Sequence, residues 1–355
     1  MDTTTVGALT STQGKGLTTS QVAALESAQV AALSSSAISG LAASQIGALS
    51  TEALNALDTT QSRALANSQI AALTTTQIAA LGETDITDLT TTQLKALTAT
   101  QIKSLNSTGL VALDSTQVQS LTTAQVQALT TTQLNSLVTE AITEFSSTQI
   151  GALTVSQIKG LSGTNLEALT TTQTKALATN QIAALSTTQI DSLSSTVFAE
   201  LTSTQAKALT TTQLASLETE QFQALTTTAI SGLASTQIAS LATTLIEALS
   251  TEAFSALTAT QIRGLTTTQA GALATSQITA LTSTALSGLV SSQIAALTTD
   301  ALNALDATQS KALLATQIAA LTTTQINALD TESLADLTTT QIKALTVTQI
   351  KSLSS

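Results

Sequence analysis

An eight-residue repeat runs through the whole chain and limits what the chain can fold into. With Leu9 taken as position 1, leucine returns at every eighth residue as far as Leu353, and among 44 complete octads only Met1 and Phe145 replace it. Position 5 is glutamine in 30 of the 44 octads, and position 6 is usually isoleucine, valine or leucine. Because the phase of the repeat never slips, the sequence predicts a single continuous array over residues 1–355, with no linker.

The octad carries the signals that start an α-helix. Position 2 is Ser, Thr, Asp or Asn in 32 of 44 octads, and these are the preferred N-cap residues. Glutamine three residues later completes a capping box, and the apolar residues on either side form a hydrophobic staple. In residues 73–80, Thr74 is expected to cap the helix, Gln77 to close the box, and Leu73 to pack on Ile78. We therefore predict one short helix of five or six residues in each octad.

The charged residues keep the same phase as the octad. All eleven basic residues occupy position 7, and 15 of the 22 acidic residues occupy positions 2 to 5. Acids near the start of a helix and bases near its end both interact favourably with the helix dipole. Simple exposure of position 7 would also explain the bases, and either explanation requires one fixed structural phase.

Other backbone structures fit the octad less well. Eight residues advance an α-helix by about 800°, so in one long helix the leucine column would drift by about 80° per octad. A β-solenoid suits the threonine content, but strands send odd and even positions to opposite faces, and the large apolar positions are 1 and 6. Disordered chains are usually poor in apolar residues, whereas 43% of this chain is hydrophobic. The favoured fold is an all-α solenoid of about 44 short helices, and the β-solenoid is the alternative.

A second, longer period indicates the size of one solenoid coil. Gaps of 24 and 32 residues alternate between octads that lack glutamine at position 5, which begin at Leu81, Leu105, Leu137, Leu161 and Leu193. The mean spacing predicts a coil of about 28 residues, or about 3.5 octads, in which the variant octads mark one recurring corner.

The residues needed for most enzyme chemistry are missing. The chain has no His and no Cys, which nucleophilic and acid–base catalysis usually recruit. We therefore predict that the protein is not an enzyme, with no catalytic, cofactor-binding or metal-ligating residue and no cofactor. Diffuse calcium binding is the alternative role of the corner acids Asp85, Asp88, Glu140 and Glu144. Four aromatic residues are expected to fill the core: Phe145, Phe198, Phe222 and Phe254.

Charge and hydropathy exclude two further classes of protein. Acidic residues outnumber basic ones 22 to 11, giving a net charge of −11, whereas nucleic-acid binding requires Lys and Arg to neutralise phosphates. The chain contains no run of about 18 apolar residues, so no membrane insertion is predicted. Its first residues lack the basic and apolar regions of a cleaved Sec signal peptide.

The octad also resembles a group of known proteins. The pattern Leu-Thr/Ser-x-x-Gln-Ile/Val-x-x-Leu, seen in residues 73–81 and 321–329, is similar to the arrays of large, repetitive bacterial surface or secreted proteins. The resemblance is one of composition and covers the whole chain. It implies an extracellular or cell-surface location without a cleaved Sec signal, although a cytoplasmic location stays open, and a structural or adhesive role.

The two ends of the array suggest how copies of the chain assemble. Terminal repeats of a solenoid normally carry a polar cap, but this chain starts in phase at Met1 and stops three residues into an octad at Ser355. We expect the ends to stack head to tail on other copies, and a head-to-tail contact that does not close produces a filament. The expected function is a structural fibre or filament subunit whose partner is itself. The alternative is a soluble spacer or ligand-binding rod of a bacterial adhesin.

Overall fold

The computed structural model describes residues 1–353, and within them each octad forms one short helix. The helices are four to seven residues long, and the described residues contain no β-strand. The predicted all-α solenoid is therefore confirmed, and the β-solenoid alternative is wrong. Within residues 1–353, no helix reaches the length and apolarity that a bilayer crossing requires.

The helices group into two compact units, divided between Ala176 and Leu177. The first unit contains α1 (Thr3–Gly7), α2 (Ser11–Lys15), α3 (Thr19–Ala23), α4 (Ser27–Ala31), α5 (Ser35–Gly40), α6 (Ala43–Ile46), α7 (Thr51–Leu54), α8 (Thr59–Ala64), α9 (Asn67–Ala71), α10 (Thr75–Ala80), α11 (Glu83–Asp88), α12 (Thr91–Ala96), α13 (Ala99–Ser104), α14 (Ser107–Val111), α15 (Ser115–Ser120), α16 (Thr123–Ala128), α17 (Thr131–Ser136), α18 (Thr139–Thr143), α19 (Ser147–Ala152), α20 (Val155–Gly160), α21 (Gly163–Glu167) and α22 (Thr171–Ala176).

The second unit repeats the same architecture. It contains α23 (Thr179–Ala184), α24 (Thr187–Asp191), α25 (Ser195–Ala199), α26 (Ser203–Ala208), α27 (Thr211–Ala215), α28 (Thr219–Gln223), α29 (Thr227–Ser231), α30 (Ser235–Ser240), α31 (Thr243–Glu247), α32 (Thr251–Ser255), α33 (Ala259–Arg263), α34 (Thr267–Gly271), α35 (Thr275–Ala280), α36 (Ser283–Leu286), α37 (Ser291–Ala296), α38 (Thr299–Asn303), α39 (Ala307–Ala312), α40 (Ala315–Ala320), α41 (Thr323–Ala328), α42 (Thr331–Ala335), α43 (Thr339–Ala344) and α44 (Val347–Leu353). The prediction of one uninterrupted array stays a prediction.

Each helix starts as the octad predicts. At α10 the Thr74 hydroxyl accepts a hydrogen bond from the Gln77 N–H at 3.1 Å, and the Gln77 Oε1 accepts one from the Thr74 N–H at 2.7 Å. The same reciprocal pair recurs at most of the other helices whose position 5 is glutamine, which confirms the capping box. Leu73 and Ile78 flank this cap and are both buried, as a hydrophobic staple requires.

Each helix ends without a left-handed residue. Leu97 leaves α12 with φ −62° and ψ 132°, and Thr98 continues the extended backbone with φ −73° and ψ 160° as the N-cap of α13. No residue between 1 and 353 has a positive φ. Since any L-residue adopts these angles, leucine can turn the chain and bury its side chain in the same place. The bend therefore needs neither glycine nor asparagine.

Hydrogen bonds between coils set the length of one coil. The Gln101 Nε2 donates to the carbonyls of Ile70 and Leu73, both at 2.8 Å, which lie 31 and 28 residues earlier. In the first unit such bonds extend from Gln45 to Gln173, and in the second from Gln205 to Gln349. One coil thus takes 28 residues, or 3.5 octads, which confirms the predicted coil. Each helix packs mainly against the helix three places away in the chain.

The core is built from three of the eight octad positions. Leucine at position 1, glutamine at position 5 and the apolar residue at position 6 are buried, while positions 2, 3, 4 and 7 face outward in most octads. The aromatic side chains that were expected to fill the core do so: Phe145, Phe198, Phe222 and Phe254 are at most 3% exposed.

Candidate functional site

The glutamine at position 5 joins each helix to two others and controls which surfaces the stack leaves open. Its Oε1 accepts the N–H of its own N-cap, and its Nε2 donates to carbonyls at the end of a helix in the preceding coil, as Gln101 does with Thr98, Ile70 and Leu73. A buried carboxamide must satisfy both its donor and its acceptor atoms. This one does so only when another coil precedes it.

The donor role of this glutamine was missed by the sequence analysis, which assigned it to capping alone. A signal was present, because capping boxes accept Glu as readily as Gln. The chain has glutamine at position 5 in 30 octads and glutamate in none. A preference for the amide over the carboxylate indicates that the N–H₂ group is needed as a donor.

The first coil leaves such donors without a partner. The Oε1 atoms of Gln13 and Gln21 accept the N–H groups of Thr10 and Thr18 at 2.9 and 2.8 Å. Within residues 1–353 their Nε2 atoms donate to nothing, and both side chains are exposed. Gln29 is the first in the chain to bridge one coil, because its Nε2 donates to the carbonyl of Met1. We call the surface that carries Gln13 and Gln21 the first-coil face.

The last coil leaves apolar side chains uncovered. Ile342, Val347 and Ile350 are 45%, 72% and 48% exposed. The isoleucines two coils and one coil earlier in the stack, such as Ile294 and Ile318, are fully buried. We call the surface of Ile342, Val347 and Ile350 the last-coil face. It offers apolar area and helix-end carbonyls, which are what an ordinary coil receives from the coil that follows it.

Charged residues define two sides of each unit once they are ordered by coil. We define the coil phase as the remainder after dividing the residue number by 28. In the first unit every acid has a coil phase of 24–27 or 0–4: Asp2, Glu26, Glu52, Asp58, Glu83, Asp85, Asp88, Asp114, Glu140, Glu144 and Glu167. Every base in that unit has a coil phase of 7–19: Lys15, Arg63, Lys95, Lys103, Lys159 and Lys175.

The second unit shows the same separation with a slightly wider acidic range. Its acids have coil phases of 20–27 or 0–4: Asp191, Glu200, Glu218, Glu220, Glu247, Glu252, Asp300, Asp306, Asp330, Glu332 and Asp336. Its bases have coil phases of 3–15: Lys207, Arg263, Lys311, Lys343 and Lys351. We call these two surfaces the acidic side and the basic side of a unit.

Contacts between the two sides occur where the sides meet. Lys311 and Asp336 form an ion pair at 3.8 Å, and the Arg63 Nε donates to the carbonyl of Asp88 at 3.2 Å. Lys311 and Arg63 both lie at the edge of the basic side nearest the acidic side. These contacts also place the bases at the carbonyl ends of neighbouring helices, where cations are favoured.

The acids considered for calcium binding are not gathered into one site. Asp85 occupies the glutamine position of α11, where its Oδ2 accepts the Gly82 N–H at 2.8 Å. Burial raises the pKa of the Asp85 carboxyl, and the nearby Asp88 carboxylate adds to the rise in that pKa. Glu140 and Glu144 lie two coils further along. Within residues 1–353, no group of three or more acidic side chains is placed to hold a metal ion.

A shallow groove lies on the acidic side of the second unit. Its volume is about 410 Å³, and its lining includes Gln223, Thr226, Ser250 and Glu252. The Gln223 Nε2 spans one wall by donating to the Ala248 carbonyl at 2.8 Å. The lining contains one carboxylate and no base or thiol, so it presents no pair of groups for acid–base or nucleophilic chemistry.

Comparison with known proteins identifies the repeat but not a relative of known role. Residues 22–59, 86–123 and 318–355 each match the ALTTAQ repeat. No curated protein matches the chain. The three matching segments, together with one helix in every octad, show that the chain is a repeat protein with segments similar to the ALTTAQ repeat.

Proposed function

We propose that this chain is a non-enzymatic structural protein that assembles end to end, with the first-coil face of one copy seated on the last-coil face of another. The observation that carries the proposal is the pair of unpartnered amides of Gln13 and Gln21. Inside the stack, the same amide always meets carbonyls 28 and 31 residues earlier, as at Gln45 and Leu17. A second copy supplies the missing coil.

One register continues both the octad and the coil across the junction. It places Met1 of the second copy at the start of the octad that follows the one beginning at Leu353. Gln13 of that copy then lies above the carbonyls of Leu345 and Ile342, and Gln21 above those of Leu353 and Ile350. This is the spacing that every buried glutamine of the stack uses, so the junction reproduces an ordinary coil-to-coil contact.

Burial of the apolar last-coil face favours the same junction. Covering a large aliphatic side chain contributes about 1.5–3 kcal/mol, and Ile342, Val347 and Ile350 are each about half exposed or more. The contact is heterologous, because two different faces meet, and each bound copy offers a fresh face to the next. Such a contact produces a filament unless the array closes into a ring.

The resemblance to repetitive bacterial surface proteins supports an exported fibre at the cell surface or outside the cell. Net charge −11 and 9% charged residues suit an extended array with few specific binding groups. The second candidate is a spacer or ligand-binding rod of a bacterial adhesin, which the broad Thr-rich outer surface favours. The two differ in whether copies of the purified chain polymerise.

Negative-stain electron microscopy over a concentration series tests the filament. The wild type is compared with the double variant Ile342→Asn and Ile350→Asn, which places polar groups in the junction without adding charge. The matched control is Leu314→Asn with Val290→Asn, since these side chains are 50% and 40% exposed away from the last-coil face. We expect fibres that lengthen with concentration in the wild type and the control, and short particles in the junction variant.

A second variant tests the donors themselves. Gln13→Glu with Gln21→Glu keeps an oxygen to accept each N-cap N–H but removes the N–H₂ group that would reach the neighbouring copy. We expect this variant to raise the concentration needed for fibre growth by at least about tenfold, a loss of about 1.4 kcal/mol. Separate short particles of wild type at every concentration would overturn the filament and leave the spacer rod as the better account.

A further inference from the structure

We propose that copies of this chain also associate side by side, with the acidic side of one copy against the basic side of a second copy. This contact uses different residues from the end-to-end junction and does not depend on it. It adds a lateral partner to the proposed fibre, so that assembly proceeds in two directions.

The 28-residue coil turns the sequence order of the charges into positions around the stack. Since glutamines bond to carbonyls 28 residues earlier throughout each unit, residues of equal coil phase lie above one another in successive coils. Acids occupy coil phases 20–27 and 0–4, and bases occupy coil phases 3–19. The centres of these two ranges are 15 phases apart, close to half a turn, so the two charges face opposite directions.

The position within the octad does not explain this separation. Position 7 lies near the carbonyl end of every helix, where the helix dipole favours a base. Yet no base occupies position 7 at coil phases 23 and 27, where three acids occur: Glu167, Asp191 and Glu247. The sign of the charge at one and the same octad position therefore follows the side of the coil. Helix capping and the helix dipole alone would place bases at position 7 on every side.

Most of these charges are directed at solvent. All eleven basic side chains are exposed, as are 16 of the 22 acidic ones, the remaining six being half-buried. The ion pair of Lys311 with Asp336 lies where the two sides meet. Away from such edges the charges of each side have neighbours of the same sign in the coils above and below, at a spacing that is comparable to the Debye length.

A second copy of the chain relieves that repulsion on both sides at once. Like charges in successive coils disfavour each other, and an opposed copy places the opposite sign across from each row. A cationic partner of another kind would need only the acidic side, and it would leave the absence of acids from the basic side without a cause. Because single exposed pairs contribute little, the contact gains its strength from the number of coils and is sensitive to salt.

Two variants with the same net charge separate the sides. The first neutralises the basic side of the first unit through Lys95→Gln, Lys103→Gln and Lys159→Gln. The second adds three acids at exposed octad position 7 on the acidic side, through Ala23→Glu, Ala79→Glu and Val111→Glu. Both variants lower the net charge by three, so general repulsion changes equally. All six substitutions lie at exposed positions, which leaves the core and the glutamine bonds intact.

The measurement is sedimentation velocity of each protein in the Ile342→Asn and Ile350→Asn background, which blocks end-to-end growth. Samples are compared at about 0.01 M salt, where the Debye length is about 30 Å, and at about 1 M, where it is about 3 Å. We expect the parent to associate at low salt and to separate at high salt. The basic-side variant should associate at least tenfold more weakly at low salt, and the acidic-side variant as strongly as the parent or more so.

Either of two results would overturn the proposal. One is a parent protein that sediments as the same particle at both salt concentrations. The other is an equal loss of association in the two charge variants, which would reduce the effect to net charge. Neither result bears on the filament, since the end-to-end junction is tested separately by the fibre length of the protein with its last-coil face intact.

Discussion

At the residue scale, the difference between a carboxamide and a carboxylate organises the molecule. A glutamate at position 5 would cap its own helix equally well, but it has no hydrogen to offer the coil before it. Where the chain departs from glutamine, another amide can take its place. Gly109 leaves the Leu81 carbonyl without a glutamine, and the Asn106 Nδ2 donates to that carbonyl at 2.9 Å. The shorter Asn165 reaches only the Leu134 carbonyl, also at 2.9 Å.

Replacement of Gln101 by Glu tests this role of the amide. The variant keeps an acceptor for the Thr98 N–H but loses both donations to Ile70 and Leu73, so we expect a loss of about 2–3 kcal/mol in unfolding free energy. The control is Gln13→Glu, the same octad position in the first coil, where Nε2 has no partner; its cost should stay below about 0.5 kcal/mol. Urea midpoints for both proteins provide the comparison, and equal losses would contradict the bridging role.

Asp85→Gln makes the opposite change and carries a pH signature. The folded pKa of Asp85 is raised by burial, so the folded state holds this proton more tightly than the unfolded state does. The contribution of Asp85 to stability therefore grows as pH falls through the folded pKa and declines as pH rises. A glutamine at this position would also reach the carbonyls of Leu57 and Leu54. We expect Asp85→Gln to add about 1–2 kcal/mol at neutral pH.

The pH series isolates this residue from acids of the opposite sign. The pKa of Asp330 is lowered by the backbone N–H of Ser333, so the contribution of Asp330 to stability is lost as pH falls. The difference in urea midpoint between wild type and Asp85→Gln removes that common part. The difference should shrink from neutral pH toward pH 4, and a difference that does not change with pH would show that Asp85 titrates as an ordinary exposed carboxyl.

At the element scale, each helix is too short to be stable alone and depends on its neighbours. Isolated helices below about 12–15 residues are marginal in water, and these have four to seven. Position 8 shows how closely the coils approach. A Cβ added at Gly264 would lie 2.5 Å from the Ser235 carbonyl oxygen, a distance that requires one of the two coils to shift. Small residues at position 8 thus bring the coils close enough for the glutamine bonds to form.

At the scale of the whole molecule, the octad and the coil are separate periods, and this has a consequence for assembly. Eight does not divide 28, so adding one octad leaves every helix and every glutamine bond in register but turns the later charges around the coil. A second copy of residues 73–80 inserted after Ala80 turns them by 8 of 28 phases. Adding seven octads, or two whole coils, restores the original charge pattern.

This insertion provides a test of the whole stack. We expect one added octad, Leu-Thr-Thr-Thr-Gln-Ile-Ala-Ala, to leave the helical circular dichroism per residue and the thermal midpoint nearly unchanged, because each repeat contacts only its neighbours. An insertion of four residues at the same point should lower the midpoint, since the glutamines of the next coil then face the wrong octad positions. If both insertions were tolerated equally, the 28-residue bonding pattern would not be what stabilises the stack.

Most of the local structure could be predicted from the sequence, because its causes act within one octad. The N-cap at Thr74, the capping box with Gln77 and the burial of Leu73 and Ile78 involve residues no more than five apart. The coil length was also predictable, since the octads that lack glutamine recur with the same mean spacing. The site was less accessible: the donor role of Gln101 and the exposure of Gln13 both depend on which coil lies beside them.

The sequence by itself determined the repeat, the helix in each octad, the coil of 28 residues and the absence of His and Cys. The partner of each glutamine Nε2, the uncovered amides of the first coil, the uncovered isoleucines of the last coil and the grouping of charges onto two sides were decided by the tertiary structure. The physical reason is distance along the chain. Capping and stapling join residues a few positions apart, whereas burial and hydrogen bonding between coils join residues about 28 positions apart, and only the folded stack brings those together.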